Sequence, residues 1–121
     1  MTCIADGALL GFMRTAELYA LLGNALDNAI EAVRGVPEDA GRSIEVSISQ
    51  KGAMALIHVE NSFAGALEFE DGLPQSTKGD PLNHGYGMRS MRMTVERYGG
   101  TLSAGTHERT FFLNMLIPLQ E

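Results

Sequence analysis

Apolar and polar positions follow two distinct rhythms along this chain. Over residues 16–34, apolar side chains fall at Leu18, Leu21, Leu22, Ala25, Leu26, Ala29, Ile30 and Val33. That spacing paints one stripe on a 3.6-residue helix and predicts an amphipathic α-helix. Thr15 stands where an N-cap belongs, Glu17 suits the positive end of the helix dipole, and Gly35 followed by Pro37 ends the run. The period then drops to two. Ile44, Val46 and Ile48 alternate with Glu45, Ser47 and Ser49, the pattern of a half-buried strand. Lys51-Gly52 reads as a tight turn, and a return strand over 53–60 carries Ala55, Ile57 and Val59 on one face.

Residues 63–84 keep neither rhythm. Gly72, Pro74, Gly79 and Pro81 interrupt mostly polar neighbours, which predicts a long structureless loop of the kind that is usually functional inside a compact domain. A second helix is predicted over 86–98, with Met88, Met91, Val95 and Tyr98 on one face and Gly99-Gly100 as its stop. Two strands close the chain, over 101–104 and 110–117, the last turning Phe111, Leu113, Met115 and Ile117 inward. At the N-terminus, residues 2–5 and 9–13 read as two short strands about an Asp6-Gly7 turn. Helices and hairpins that do not alternate strictly imply an α+β fold, a two-layer sandwich with helices on one face of a sheet.

Composition narrows the function classes. A chain of 121 residues fits a single domain with one core, and its 45% hydrophobic content excludes wholesale disorder. The formal net charge of −6 gives no general attraction for nucleic acid or an anionic membrane, so a small polyanion would need local donors or a metal ion. No apolar run approaches the roughly 18 residues of a membrane span, and no signal peptide is evident. Cys3 is the sole cysteine and cannot form an internal disulfide, which suits a cytoplasmic setting.

Three features carry chemistry. On the first helix, Glu17, Asn24, Asn28 and Glu31 fall in a wedge of roughly 60° at 100° per residue. Asparagine is a mediocre helix former, so two of them one turn apart need a reason. A carboxamide oxygen is a hard ligand that Mg²⁺ accepts, although a solvated helix face would look the same. Second, Val59-Glu60-Asn61-Ser62 ends a strand. Asn61 offers a donor and an acceptor to a base edge, or simply starts a turn. Third, Ser76-Thr77-Lys78-Gly79 precedes His84-Gly85-Tyr86-Gly87-Met88-Arg89-Ser90 at a helix entry. Glycines there let backbone N–H groups face an anion, and Lys78 and Arg89 add positive charge; a flexible surface loop is the plainer alternative. There is no Gly-x-x-x-x-Gly-Lys-Ser/Thr phosphate loop.

The order of these features is more specific than any one of them. An Asn-bearing helix, a strand ending in Asn, a long loop, a Gly-x-Gly helix entry and a closing hairpin resemble the GHKL superfamily of ATP-binding domains. The run from Leu22 to Ala32, Leu-Gly-Asn-Ala-Leu-Asp-Asn-Ala-Ile-Glu-Ala, looks like its N box. Residues 59–62 look like the first glycine-box region, and His84-Gly-Tyr-Gly-Met88 like the later glycine box. Among these domains the chain is most similar to sensor histidine kinases of the accessory-gene-regulator type, which also carry Asn where most kinases have Asp-x-Gly-x-Gly.

The resemblance implies a Bergerat-type sandwich with a mixed, mostly antiparallel sheet. It implies ATP and Mg²⁺ as ligands. Asn28 would hold Mg²⁺ and Asn24 would lie near the phosphates. Asn61 and Thr110 would meet the adenine. Lys78, Gly85 and Gly87, with Arg89, would hold the triphosphate under a lid of residues 63–84. Hydrolytic relatives carry Glu where this chain has Asn24, which cannot act as a base near pH 7. Transfer to an acceptor is therefore expected rather than hydrolysis. The expected acceptor is a histidine on a separate dimerisation domain, because His58, His84 and His107 lack the setting of a phosphoacceptor helix. That domain, and through it a response regulator, are the expected partners, with the parent protein anchored in a membrane. Two alternatives share or depart from this chemistry: a serine kinase of the anti-sigma-factor type with the same fold, and a degenerate binding module without catalysis.

Overall fold

The computed structural model describes residues 2–65, 68–70, 72–75 and 84–120. Among the described residues, seven strands and two α-helices follow in the order β1 (Thr2–Ala5), α1 (Thr15–Arg34), β2 (Ile44–Lys51), β3 (Met54–Ser62), β4 (Glu68–Glu70), β5 (Leu73–Gln75), α2 (His84–Arg97), β6 (Thr101–His107) and β7 (Thr110–Pro118). Five strands form one sheet in the order β1-β2-β3-β7-β6, and β4 pairs only with β5. β1 runs parallel to β2 and every other pairing is antiparallel, so the sheet is mixed and mostly antiparallel. Both helices pack against one another and against the sheet. The fold is the two-layer α+β sandwich that the periodicity implies.

The core lies between these layers. Leu21, Ala25 and Ala29 of α1 and Met88, Met91 and Val95 of α2 meet Ala55, Ile57 and Val59 of β3 and Leu113, Met115 and Ile117 of β7. Each large buried side chain contributes about 1.5–3 kcal/mol. In β7, and in β3 as far as Asn61, buried and half-buried residues alternate, because successive side chains leave opposite faces of a strand. The β2–β3 and β6–β7 hairpins are closed by two-residue loops. Gly52 opens the first with φ +59°, and Glu108 opens the second with φ +56°, unusual for a residue with a Cβ.

Several expectations need correction. Residues 9–13 are not a strand; Gly7–Leu10 is a short 3-10 turn. The reason is spacing: Leu10 and Met13, three apart, both reach the core, which a strand would not allow. Residues 63–84 are not wholly structureless, since β4 and β5 form a hairpin turning at Gly72 (φ +77°), with Leu73 buried in the core. Thr15 is the first residue of α1 rather than its cap. Arg14 occupies the cap position with no side-chain bond, and its N–H donates to the Tyr98 hydroxyl instead. Gly35 ends α1 in a right-handed conformation, not the left-handed one usual for a terminal glycine. α2 starts two residues earlier than its apolar face suggests, and β6 continues to His107.

Candidate functional site

Asn24 and Asn28 sit half-buried on one wedge of α1. The Asn28 amide nitrogen is buried and has no hydrogen-bond partner among the described residues. An orphaned buried donor costs roughly 1–3 kcal/mol, so this side chain is set for something other than stability. Oxygen and nitrogen of a carboxamide exchange places by a simple flip. The same buried position can thus present a donor to a phosphate or an oxygen to a cation.

Glu17 shares that wedge and shows where it points. Its carboxylate accepts a hydrogen bond from the Tyr98 hydroxyl (2.9 Å) and pairs with the Arg97 guanidinium (3.0 Å). The first turn of α1 therefore meets the end of α2; α1 then leads to the start of β2, beside Asn61 at the end of β3, whereas α2 leads to the start of β6, at the sheet end where β3 begins, so the two helices run in opposed senses. Advancing along the wedge to Asn24 and Asn28 retreats along α2 toward its N-terminal turns, where Gly85 and Gly87 lie. The sequence put Gly85 just before the helix and Gly87 just inside it; the structure places both within its first four residues. Backbone N–H groups in this stretch have no acceptor within the helix and carry the positive end of its dipole. Among the described residues, a Cβ at Gly87 would meet no atom within 4 Å, so none of them demands glycine there by packing. Arg89 is exposed in the second turn of α2. Lys78 lies outside the described residues, as do Ser76, Thr77, Gly79 and Pro81.

The third part of the site comes from the sheet. Asn61 is 2% exposed on the helix-facing side of β3, between Ile44 of β2 and Phe111 of β7. Its amide nitrogen donates to the Ser62 carbonyl (3.0 Å), which orients the side-chain oxygen as the remaining acceptor. Thr110 begins β7 directly opposite Ser62 and beside His107. Ser62 is itself held: its hydroxyl accepts the Ser43 N–H at 2.8 Å, and its own N–H donates to the Ser43 carbonyl. Asn61 and Thr110 thus occupy adjacent strand positions at one end of the sheet.

Two structural features escaped sequence reasoning. One is the lock formed by Tyr98, Glu17, Arg97 and the Arg14 backbone, to which Phe12 adds an edge-on ring contact with Tyr98 at 5.9 Å. Its members lie some 80 residues apart, and no local pattern couples them. The other is the approach of Arg92 to Gly72, whose hypothetical Cβ would lie 3.2 Å from the guanidinium.

With this geometry in place, comparison with known proteins is decisive. Residues 13–118 match the GHKL domain family. The chain belongs to that family. It is also 35% identical over 97 residues to the sensor histidine kinase DpiB of Escherichia coli (strain K12), a match covering 74% of this chain and 17% of that kinase. The chain thus spans under a fifth of the curated relative's length. Among solved structures it is similar to the catalytic domain of histidine kinase ThkA in a nucleotide-free form. There the TM-score is 0.71 with 19% identity, over 99% of this chain and 80% of that one. The blue-light activated histidine kinase EL346 of Erythrobacter litoralis gives a TM-score of 0.64 with 18% identity, over 98% of this chain and 50% of the compared histidine kinase domain. These structures share the GHKL sandwich. Asn24 and Asn28, in the run that resembles the GHKL N box, lie on α1, and the run that resembles its later glycine box lies at the entry of α2.

Proposed function

We propose that this GHKL domain binds ATP with Mg²⁺ and passes the γ-phosphoryl group to a histidine on a separate domain of a sensor histidine kinase. The observation that carries this reading is the orphaned Asn28 amide, on the helix wedge that runs toward the N-terminal turns of α2. Among the described residues, no group of three or more His, Cys, Asp or Glu could hold a metal. That donor set fits Mg²⁺ taken up with its nucleotide: one carboxamide, from Asn28, and otherwise phosphate oxygens and water. The ion would neutralise charge on the phosphates when bound.

The chain's own groups then bind and orient. Asn61 offers its oxygen to the adenine amino group, beside Thr110. The N–H groups at Gly85 and Gly87, with Lys78, Arg89 and the amide of Asn24, receive the phosphates. Nothing at Asn24 can take a proton from water, so the bound nucleotide is held for transfer rather than hydrolysed. The chain's own His58 is not the acceptor, since both of its ring nitrogens are engaged within the sheet. The acceptor helix, and indirectly a response regulator, are the partners. We place the domain in the cytoplasm beneath a membrane-anchored parent; among the described residues no helix is long and apolar enough to cross a membrane.

Radiolabelled ATP tests the transfer. The chain alone should acquire no stable label. A dimerisation hairpin carrying the acceptor histidine, added in trans, should acquire it. Acid-labile label on the chain itself would contradict the assignment of the acceptor to another domain.

A further inference from the structure

The sheet face turned away from the helices carries a polar cluster that plays no part in the nucleotide site. His58 of β3 lies opposite Asn114 of β7 and Ser47 of β2, and Glu60 of β3 lies opposite Glu45 of β2. The His58 Nδ1 meets the Asn114 Oδ1 at 2.5 Å, and Nε2 meets the Glu60 Oε1 at 2.9 Å. A neutral imidazole donates from only one nitrogen. Two acceptors on one ring are satisfied together only by the imidazolium; after deprotonation the Asn114 amide must flip to keep its bond. The other residues on this face opposite the cluster, Phe112 and Leu116 of β7, Ser103 of β6, and Thr2 and Ile4 of β1, carry no charge. Among the described residues, the formal charges that act on His58 are therefore the two carboxylates.

We propose that His58, Glu60, Glu45 and Asn114 form a proton-operated clasp that ties β3 to β7 on the sheet face opposite that of Asn61. Burial by itself disfavours the charged ring. The hydrogen bonds to Asn114 and Glu60 and the charges of Glu60 and Glu45 outweigh it, and together they hold the ring above its ordinary pKa of 6.5. A histidine raised in the folded state stabilises the fold fully below the unfolded value, and that stabilisation is lost as pH rises through the folded value.

Imidazole NMR of the full 121-residue chain tests the clasp without nucleotide. At the acid end both His58 nitrogens should carry protons. The titration midpoint should lie above 6.5 and fall in Glu60→Gln. In thermal unfolding, the margin of wild type over His58→Gln should be largest below pH 6.5 and shrink toward alkaline pH. A wild-type midpoint at or below 6.5, or a margin independent of pH, overturns the proposal; the first readout stands even if a variant fails to fold.

Discussion

At the residue scale, the informative side chains are those that the fold tolerates at a cost. Asn28 occupies a helix interior with an unpartnered buried amide. Its replacement by Ala removes the orphan and raises helix propensity by up to about 0.7 kcal/mol. We expect Asn28→Ala to keep or raise the melting temperature while losing nucleotide, a pairing that ordinary core damage does not produce. Glu108 presents the opposite case. Its φ of +56° opens the β6–β7 loop, where a left-handed backbone costs a residue with a Cβ roughly 1–2 kcal/mol. Part of that is recovered by glycine, so Glu108→Gly should stabilise the domain by about 1 kcal/mol in denaturant melts. A loss of stability would mean that the carboxylate, not the backbone, governs this turn. The asparagines were legible in the sequence because their spacing is chemical. The Glu108 conformation was not, because a glutamate gives no turn signal of its own.

Among the elements, α1 and α2 are set against each other by one junction. The Tyr98 hydroxyl receives the Arg14 N–H and donates to Glu17, which also pairs with Arg97. The tyrosine thus does what a capping side chain would do at the start of α1. Tyr98→Phe keeps the ring against Phe12 but removes two hydrogen bonds of about 0.5–1.5 kcal/mol each. We expect a loss of about 1–3 kcal/mol by chemical denaturation, together with weaker nucleotide binding, because the same junction fixes how the Asn28 wedge faces α2. After α2 the chain turns at Gly100, where a Cβ would fall 2.1 Å from the Leu116 carbonyl oxygen. Backbone cannot yield as a side chain can, so Gly100→Ala should cost about 3 kcal/mol or more, measured the same way. At Gly105 the obstructing atoms belong to the Phe112 ring, which can swing aside, and the same substitution should cost less. The helices and hairpins themselves were legible because each keeps one period over many residues. The turn at Gly7–Leu10 and the β4–β5 hairpin were not, since three- and four-residue elements repeat their period too few times to stand out and Leu73 shows its burial only in three dimensions.

For the whole molecule, a sheet covered by helices on one face lets distant sequence segments contribute to the one nucleotide site that we propose. α1 supplies Asn24 and Asn28, β3 and β7 supply Asn61 and Thr110, and the entry of α2 supplies Gly85 and Gly87. A chain of net charge −6 repels a triphosphate at long range, so binding depends on these local donors and on a cation. The order of the segments was readable from the chain. The opposed run of the two helices was not, because it rests on the contact of Glu17 with Arg97 and Tyr98.

The central claim is that this arrangement binds a magnesium nucleotide through Asn28. Calorimetric titration of the chain with a non-hydrolysable ATP analogue, with and without Mg²⁺ and beside Asn28→Ala, tests it directly. We expect saturable binding that needs Mg²⁺ and weakens at least about tenfold in the variant, a loss of 1.4 kcal/mol or more. Absence of binding at millimolar nucleotide, or equal binding by a folded Asn28→Ala, would contradict it.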